Sequence, residues 1–258
     1  MKSIKEIFRI GNGPSSSHTM GPRAATIEFL RRCPADAVSF SVTLYGSLAA
    51  TGKGHLTDAA IISEFERRGH KVEIVWEPDV FLPYHPNAMT LTGLTADGRK
   101  ALEMTVYSVG GGAIKTRKGR PPTKPKPPHV YTKNSLSEIM AYCEQTGRDF
   151  WEYVEECEGP AIWEYLHRVW ETMKQSVTDG LAQEGRLPGP LNLRRKAAQY
   201  HVKAEGYRDN LKSRGLTFAY ALAVSEQNAS GGVIVTAPTC GSSGVLPGVL
   251  YHIWKSRN

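Results

Sequence analysis

Apolar residues recur along the chain with two different periods, and the places where the period changes mark out its elements. Ala24, Ala25, Ile27, Phe29 and Leu30 stand among Arg23, Glu28, Arg31 and Arg32, which is the spacing of an amphipathic helix. Ser39 to Tyr45 alternates, is rich in strand formers, and stops at Gly46 and Ser47. Ala59, Ala60, Ile61, Ile62 and Phe65 give a second helix an apolar face ending at Arg67, Arg68 and Gly69, with Asp58 placed to cap it. Lys71 to Trp76 reads as a strand, as do Ala88–Thr95 and Lys100–Val109, which are joined by the hairpin signal Asp97-Gly98. From Ser135 the pattern is helical. Ser135-Leu136-Ser137-Glu138 is a capping box that opens a helix to about Thr146, with Gly147 just past its end. Helical patterning continues through Asp149–Glu158 and Pro160–Glu184. Gly185–Gly206 reads as irregular and basic, Leu216–Asn228 as a helix, and a further apolar helix starts at Val245. Residues 1–12, with Ile4, Ile7, Phe8 and Ile10, read as a short apolar helix or lead-in packed beneath the loop that follows. The expected fold class is therefore α+β: an N-terminal α/β sandwich-like domain over residues 1–114, a basic Pro-rich linker over 115–133, and an all-α domain over 134–258.

Composition narrows the possibilities. A chain of 258 residues that is 40% hydrophobic can bury one large core or two smaller ones. No stretch is long and apolar enough to read as a membrane span, and the first residues lack the apolar core of a secretory signal, so the expectation is a cytoplasmic protein with no membrane partner. Cys33, Cys143, Cys157 and Cys240 are widely spaced and read as reduced thiols rather than a disulfide framework or a zinc ribbon. The net charge of +7 is local. Six of the 32 basic residues lie between Lys115 and Lys126, where there is no acid, and no nucleic-acid partner is expected.

Two polar clusters stand out. In Gly13-Pro14-Ser15-Ser16-Ser17-His18-Thr19-Met20-Gly21-Pro22, small hydrogen-bonding groups surround an imidazole just before a helix, an arrangement suited to a small anion, though an ordinary cap and flexible turn fits the same residues. Leu48 to Asp58, a small-residue segment ending in Gly52-Lys53-Gly54-His55-Leu56-Thr57-Asp58, follows the first strand. It lacks the spaced glycine and the hydroxyl directly after lysine that a phosphate-binding P-loop needs, which disfavours a nucleotide site. Further on come Tyr84-His85-Pro86-Asn87, the Gly110-Gly111-Gly112 strand exit, and Thr236-Ala237-Pro238-Thr239-Cys240-Gly241-Ser242-Ser243-Gly244.

Taken together and in order, these motifs, with Tyr45-Gly46-Ser47-Leu48 and Ala221-Leu222-Ala223-Val224-Ser225-Glu226-Gln227-Asn228-Ala229, resemble the iron–sulfur-dependent L-serine dehydratases in the form where β and α regions are fused. The resemblance covers nearly all the chain. It implies β-elimination of water from L-serine to give pyruvate and ammonia, with a [4Fe–4S] cluster as Lewis acid. It also implies His55 as the acid–base group, Lys53 offsetting anionic charge or simply solvated, and His85 and Asn87 positioning substrate. Ser15, Ser16, Ser17, His18 and Thr19 would form the loop that meets the substrate carboxylate or the cluster edge, with Thr239, Gly241 and Ser242 supplying donors from the other domain. His70, His129, His167 and His201 lie outside the motifs and read as surface or structural. The cluster-holding cysteines of fused members lie beyond the Ala-Pro-Thr segment and are not in this sequence, so no residue here is expected as a metal ligand and the helical domain is expected to be incomplete. This polypeptide alone is then expected to be inactive, being either a piece of a longer chain or completed by a second chain, with a homo-oligomer the other expectation. A different reading is a non-catalytic effector module that binds a small anion or amino acid, because the family's β region resembles the effector-binding domain of some phosphoglycerate dehydrogenases.

Overall fold

The chain enters its first regular strand, β1 (Ile10–Asn12), after a short 3-10 turn at Ile4–Glu6, and the partner of that strand comes from the far end of the sequence. The structure is a computed structural model that describes residues 1–116, 129–189 and 191–257. Most of the basic Pro-rich stretch expected as a linker therefore lies outside the described residues.

The alternating segments form one five-stranded sheet. Its strands are β2 (Ala37–Tyr45), β3 (Glu73–Glu77), β4 (Asn87–Thr95), β5 (Lys100–Ser108) and β6 (Ile114–Thr116), in the order β3-β2-β4-β5-β6. The β2–β3 pair is parallel and the remaining pairs are antiparallel, with β4 and β5 joined by the turn at Asp97-Gly98. Period-two alternation sends Phe40, Val42 and Leu44 of β2, Met89 and Leu91 of β4, and Met104 and Val106 of β5 to one face, where all are buried. The helices α1 (Gly21–Arg32), α2 (Gly46–Thr51) and α3 (Thr57–Glu66) cover that face with Phe29, Leu30, Leu48, Ile61 and Phe65. Phe29 meets Phe40 edge to face at 6.5 Å, and Phe65 lies 5.3 Å from Phe40. Each fully buried side chain of this size contributes about 1.5–3 kcal/mol, so this layer sets the position of everything its helices carry. The opposite face is polar, with Thr43, Thr90 and Thr105 in register across three strands.

The second half is helical, as its pattern predicts: α4 (Leu136–Thr146), α5 (Phe150–Glu158), α6 (Ala161–Ala182), α7 (Ala197–Glu205), α8 (Asp209–Ala229) and α9 (Val245–Arg257). The capping box at Ser135 forms, and Gly147 closes α4 in the left-handed conformation. Between α8 and α9 runs β7 (Val233–Val235), which pairs antiparallel with β1.

Four local expectations need correction. Residues 197–205, read as irregular, are α7, and the buried Glu226 carboxylate on α8 caps that helix by accepting from the N–H groups of Lys196 and Ala197 at 2.6 and 3.2 Å. The cap comes from 30 residues away and is invisible to local pattern. Helix α8 begins at Asp209, well before Leu216. Asp58 lies inside the first turn of α3, bonded to the N–H of Ala59, and the capping position belongs to Leu56. Of the opening residues, Gly11 lies against Met20 of the serine loop, but the apolar Ile4 and Phe8 do not pack beneath it. Their side chains go to the helical half, where Ile4 joins Tyr131 and Tyr153 while Phe8 joins Val169, Met173 and Val235. Ser3 and the Ile4 N–H donate to Glu158, and the Met1 ammonium donates to the Tyr131 carbonyl at 2.7 Å.

Candidate functional site

The serine loop spans the two halves of the molecule. It leaves the β1–β7 ribbon, where Gly13 N–H donates to the Gly232 carbonyl at 3.0 Å, and ends in α1, which packs on the sheet. Between these anchors Ser16–Met20 form a single wide helical turn. The Ser15 hydroxyl caps it by accepting from the His18 N–H at 3.1 Å. Asn12 ties the start of the loop to the helical half through the Gly231 carbonyl, and Arg23 links Asn12 to Glu64 on α3.

The second turn reaches the same place from the sheet. Gly46, at φ 49°, swings the chain out of β2 into α2; a Cβ there would lie 2.8 Å from the Pro86 carbonyl oxygen and against the Phe81 ring. Helix α2 then runs into the 3-10 turn Lys53–His55. Its imidazole lies over that of His18, with ring centroids 4.7 Å apart and planes 32° from parallel.

Both rings are held by neutral partners. Thr51 supplies a carbonyl 2.9 Å from Nδ1 of His55, which fixes the proton on Nδ1 and leaves Nε2 with a lone pair. His18 is spanned by two hydroxyls, with Ser17 3.0 Å from Nδ1 and Ser47 3.1 Å from Nε2. Burial and then the neighbouring His55 push the His18 imidazole below its ordinary value. The turns also exchange hydroxyl bonds: Thr19 donates to the His55 carbonyl at 2.7 Å and Thr57 to the His18 carbonyl at 2.6 Å.

The other expected residues divide according to how they reach this pair. The His85-Pro86-Asn87 corner adjoins it through Ser47, whose N–H donates to the Pro86 carbonyl at 3.1 Å. Within the corner, Nδ1 of His85 accepts from the Asn87 N–H at 3.1 Å, and Oδ1 of Asn87 is buried with no hydrogen-bond partner among the described residues. Ser15 and Ser17 are half-buried beside His18, whereas Ser16 and Thr19 are buried. Thr239 and Ser242 bond to each other at 3.0 Å, and their loop meets the serine turn through Cys240, whose Sγ is 3.7 Å from Sδ of Met20. Gly241 is exposed on that loop, and no hydrogen bond joins Thr239, Gly241 or Ser242 to the serine turn among the described residues. Lys53 is exposed and turned away, its ammonium 5.7 Å from the Trp76 ring centre. Ser47 and Thr57 stand inside the sequence motifs, but no site role is expected of either from the sequence, because which carbonyl or ring a hydroxyl meets is set by the fold and not by its neighbours in sequence.

An iron–sulfur cluster requires several thiolates brought together. Among the described residues, no group of three or more His, Cys, Asp or Glu is placed to hold a metal. Cys33 packs on the sheet core, Cys143 and Cys157 lie in the α4–α5 cluster with Tyr131 and Tyr153, and Cys240 is buried against Met20. Burial alone pushes the Cys240 thiol up to about 11, which keeps it protonated near neutral pH. The thiols described here do not fit the cluster.

Two family matches cover most of the chain: the family described as serine dehydratase beta chain over residues 3–70, and that described as serine dehydratase alpha chain over residues 89–258. The chain is similar to the L-serine dehydratase of Streptomyces coelicolor, at 33% identity over 97% of this chain and 65% of the relative. It is also similar to the L-serine dehydratase of Haemophilus influenzae, at 32% identity over 99% of this chain and 67% of the relative. That of Helicobacter pylori is 31% identical over 97% of this chain and 65% of its own length. The chain spans about two thirds of the length of these relatives.

Proposed function

The chain belongs to the serine dehydratase family, and from that membership we propose that it carries the substrate-binding and proton-transfer groups of an L-serine dehydratase, a lyase that converts L-serine to pyruvate and ammonia. The observation that carries this reading is the facing of His18 and His55, with Ser47 bonded both to the His18 ring and to the Pro86 carbonyl of the His-Pro-Asn corner.

Elimination from serine has two difficulties: the Cα–H is weakly acidic, and hydroxide is a poor leaving group. The Thr51 carbonyl keeps the proton of His55 on Nδ1, so Nε2 is free to take the Cα proton. The C–H electron pair becomes the Cα–Cβ π bond as the Cβ–O bond breaks, and the imidazolium returns its proton so that the oxygen leaves as water. The aminoacrylate tautomerises to an imine, which water hydrolyses to pyruvate and ammonia. His18, whose ring is bracketed by the Ser17 and Ser47 hydroxyls, forms a neutral polar wall. Ser15, Ser16 and Ser17 would meet the carboxylate, with Thr19 holding the turn. His85 and Asn87 would orient the amino and hydroxyl groups, and Thr239, Gly241 and Ser242 would close the site from the helical half, while Lys53, turned toward Trp76, takes no part.

The cluster implied by the resemblance would assist the leaving hydroxyl. The four cysteines described here do not bring thiolates together, and ligands for a cluster would come from a further segment or a second chain. That second chain, a homo-oligomer and a cytoplasmic location with reduced thiols are parts of the same reading.

Two measurements test it. L-Serine titrated into the isotopically labelled chain is expected to shift the imidazole resonances of His18 and His55, and no shift at saturating serine would count against a serine site. In serine-dependent pyruvate release by the enzyme completed with its missing segment or second chain and loaded with cluster, His55→Ala is expected to lower kcat far more than it weakens serine binding, whereas equal losses would point to binding alone.

A further inference from the structure

We infer that Thr19 and Thr57 are positioning residues, whose crossed hydroxyl bonds hold the imidazoles of His18 and His55 face to face; the inference rests on the reading of His55 as the acid–base group.

Each histidine sits on a turn too short to hold its ring by itself, five residues around His18 and three around His55. The turns are separated in sequence by α1, β2 and α2. What joins them directly is reciprocal: the Thr57 hydroxyl bonds the carbonyl of His18, and the Thr19 hydroxyl bonds the carbonyl of His55. Thr57 is 0% exposed and Thr19 2%, so neither hydroxyl has water as an alternative partner. The Thr19 oxygen also accepts from the Ser15 N–H at 3.2 Å, tying the capped start of its own turn to the same junction.

The backbone supplies a second, independent observation. Leu56 lies between His55 and Thr57 at φ 54°, in the left-handed region that a residue with a Cβ seldom adopts. That conformation folds Thr57 back, so that its N–H reaches the Gly52 carbonyl at 2.9 Å while its hydroxyl points to the His18 turn. Strain of this kind persists where the surrounding contacts over-determine it, and here it delivers Thr57 to its partner.

The groups bonded around His18 and His55, from Ser15, Ser17, Ser47 and Thr51, are neutral, while Lys53 faces Trp76 and Asp58 is bonded to its own helix. Loosening the clamp therefore changes how His18 titrates, because both causes of its lowered value, burial and the nearby His55, depend on the rings staying together.

The test is the pH titration of the labelled imidazoles in the whole chain. Thr57→Val keeps the shape and removes the hydroxyl, Thr57→Ser keeps the hydroxyl, and Thr26→Val removes a buried threonine hydroxyl that bonds the Pro22 carbonyl of its own helix. The expected result is an upward move of the His18 midpoint toward its ordinary value in Thr57→Val, wild-type behaviour in Thr57→Ser, and no change in Thr26→Val. In turnover assays of the completed, cluster-loaded enzyme Thr57→Val is expected to lower kcat by about 10²-fold with KM little changed, the penalty of a displaced catalytic group. If Thr57→Val does not fold, Thr19→Val carries the same measurement. Wild-type titration of both histidines in a folded Thr57→Val chain would overturn the clamp, as would the same shift in Thr26→Val. Should the titrations move as expected while His55→Ala leaves turnover intact, the clamp stands and the acid–base reading falls.

Discussion

Replacing Gly13 with alanine tests whether the serine loop is seated by contact with α8. An alanine Cβ at this position would lie 2.2 Å from both the carbonyl oxygen and Oδ1 of Asn228, and 2.8 Å from its carbonyl carbon. That is about 1.2 Å short of the 3.4 Å at which ordinary contact begins. The obstructing atoms include backbone at the end of a 21-residue helix, so the loop is what must give way. Overpacking of this kind costs about 1–3 kcal/mol. The same movement strains the Gly13 N–H bond to the Gly232 carbonyl and the Asn228 amide bond to the Pro14 carbonyl, each worth about 1 kcal/mol. Reduced entropy of the unfolded chain returns about 0.4–1 kcal/mol, leaving a net loss of about 2–3 kcal/mol. The control is Gly54→Ala, where a Cβ would meet nothing within 4 Å; it is expected to be neutral or slightly stabilising. Urea denaturation followed by circular dichroism measures both variants, and the His18 imidazole resonances report whether the loop has moved. Equal stability of the two variants, within about 0.5 kcal/mol, would refute the packing argument.

Three more outcomes follow from buried polar groups. Because burial and His55 hold His18 below its ordinary 6.5, the unfolded chain binds a proton that the folded chain does not, in the window just below that value. Folding stability should therefore rise with pH through that window and level off above it, and urea midpoints measured from about pH 5 to 8 should lose part of this slope in His18→Gln. Cys240, raised to about 11 by burial, should resist alkylation by iodoacetamide at neutral pH in the native chain and react once the chain is unfolded; rapid native labelling would contradict the buried thiol. Glu226→Ala should cost about 2–3 kcal/mol in urea denaturation, because it strands the N–H groups of Lys196 and Ala197 at the start of α7, whereas Glu226→Gln keeps an acceptor and should cost less.

The sequence by itself determined the elements whose information is local. Alternation in Ser39–Tyr45, Ala88–Thr95 and Lys100–Val109 located three strands of the sheet, and the Ser135 box and Gly147 marked the two ends of α4, because pleat period, cap and left-handed turn are properties of a few consecutive residues. It also determined the family, through the order of the motifs. Only the tertiary structure decided which groups meet. The three-residue strand β1 exists because β7 pairs with it, α7 is capped by a carboxylate on another helix, and Leu56 takes a left-handed conformation because the surrounding contacts hold it there. Gly13 and Gly54 look equivalent in Gly-Asn-Gly and Gly-Lys-Gly, yet one touches the end of α8 and the other touches nothing. Lys53 and His55 are two residues apart and look like one motif, yet the 3-10 turn sends the lysine to Trp76 and the imidazole to His18. Hydrogen-bond partners and steric contacts between residues far apart in the chain depend on how the sheet and the helical half pack together, and that arrangement is not encoded in any window of neighbouring residues.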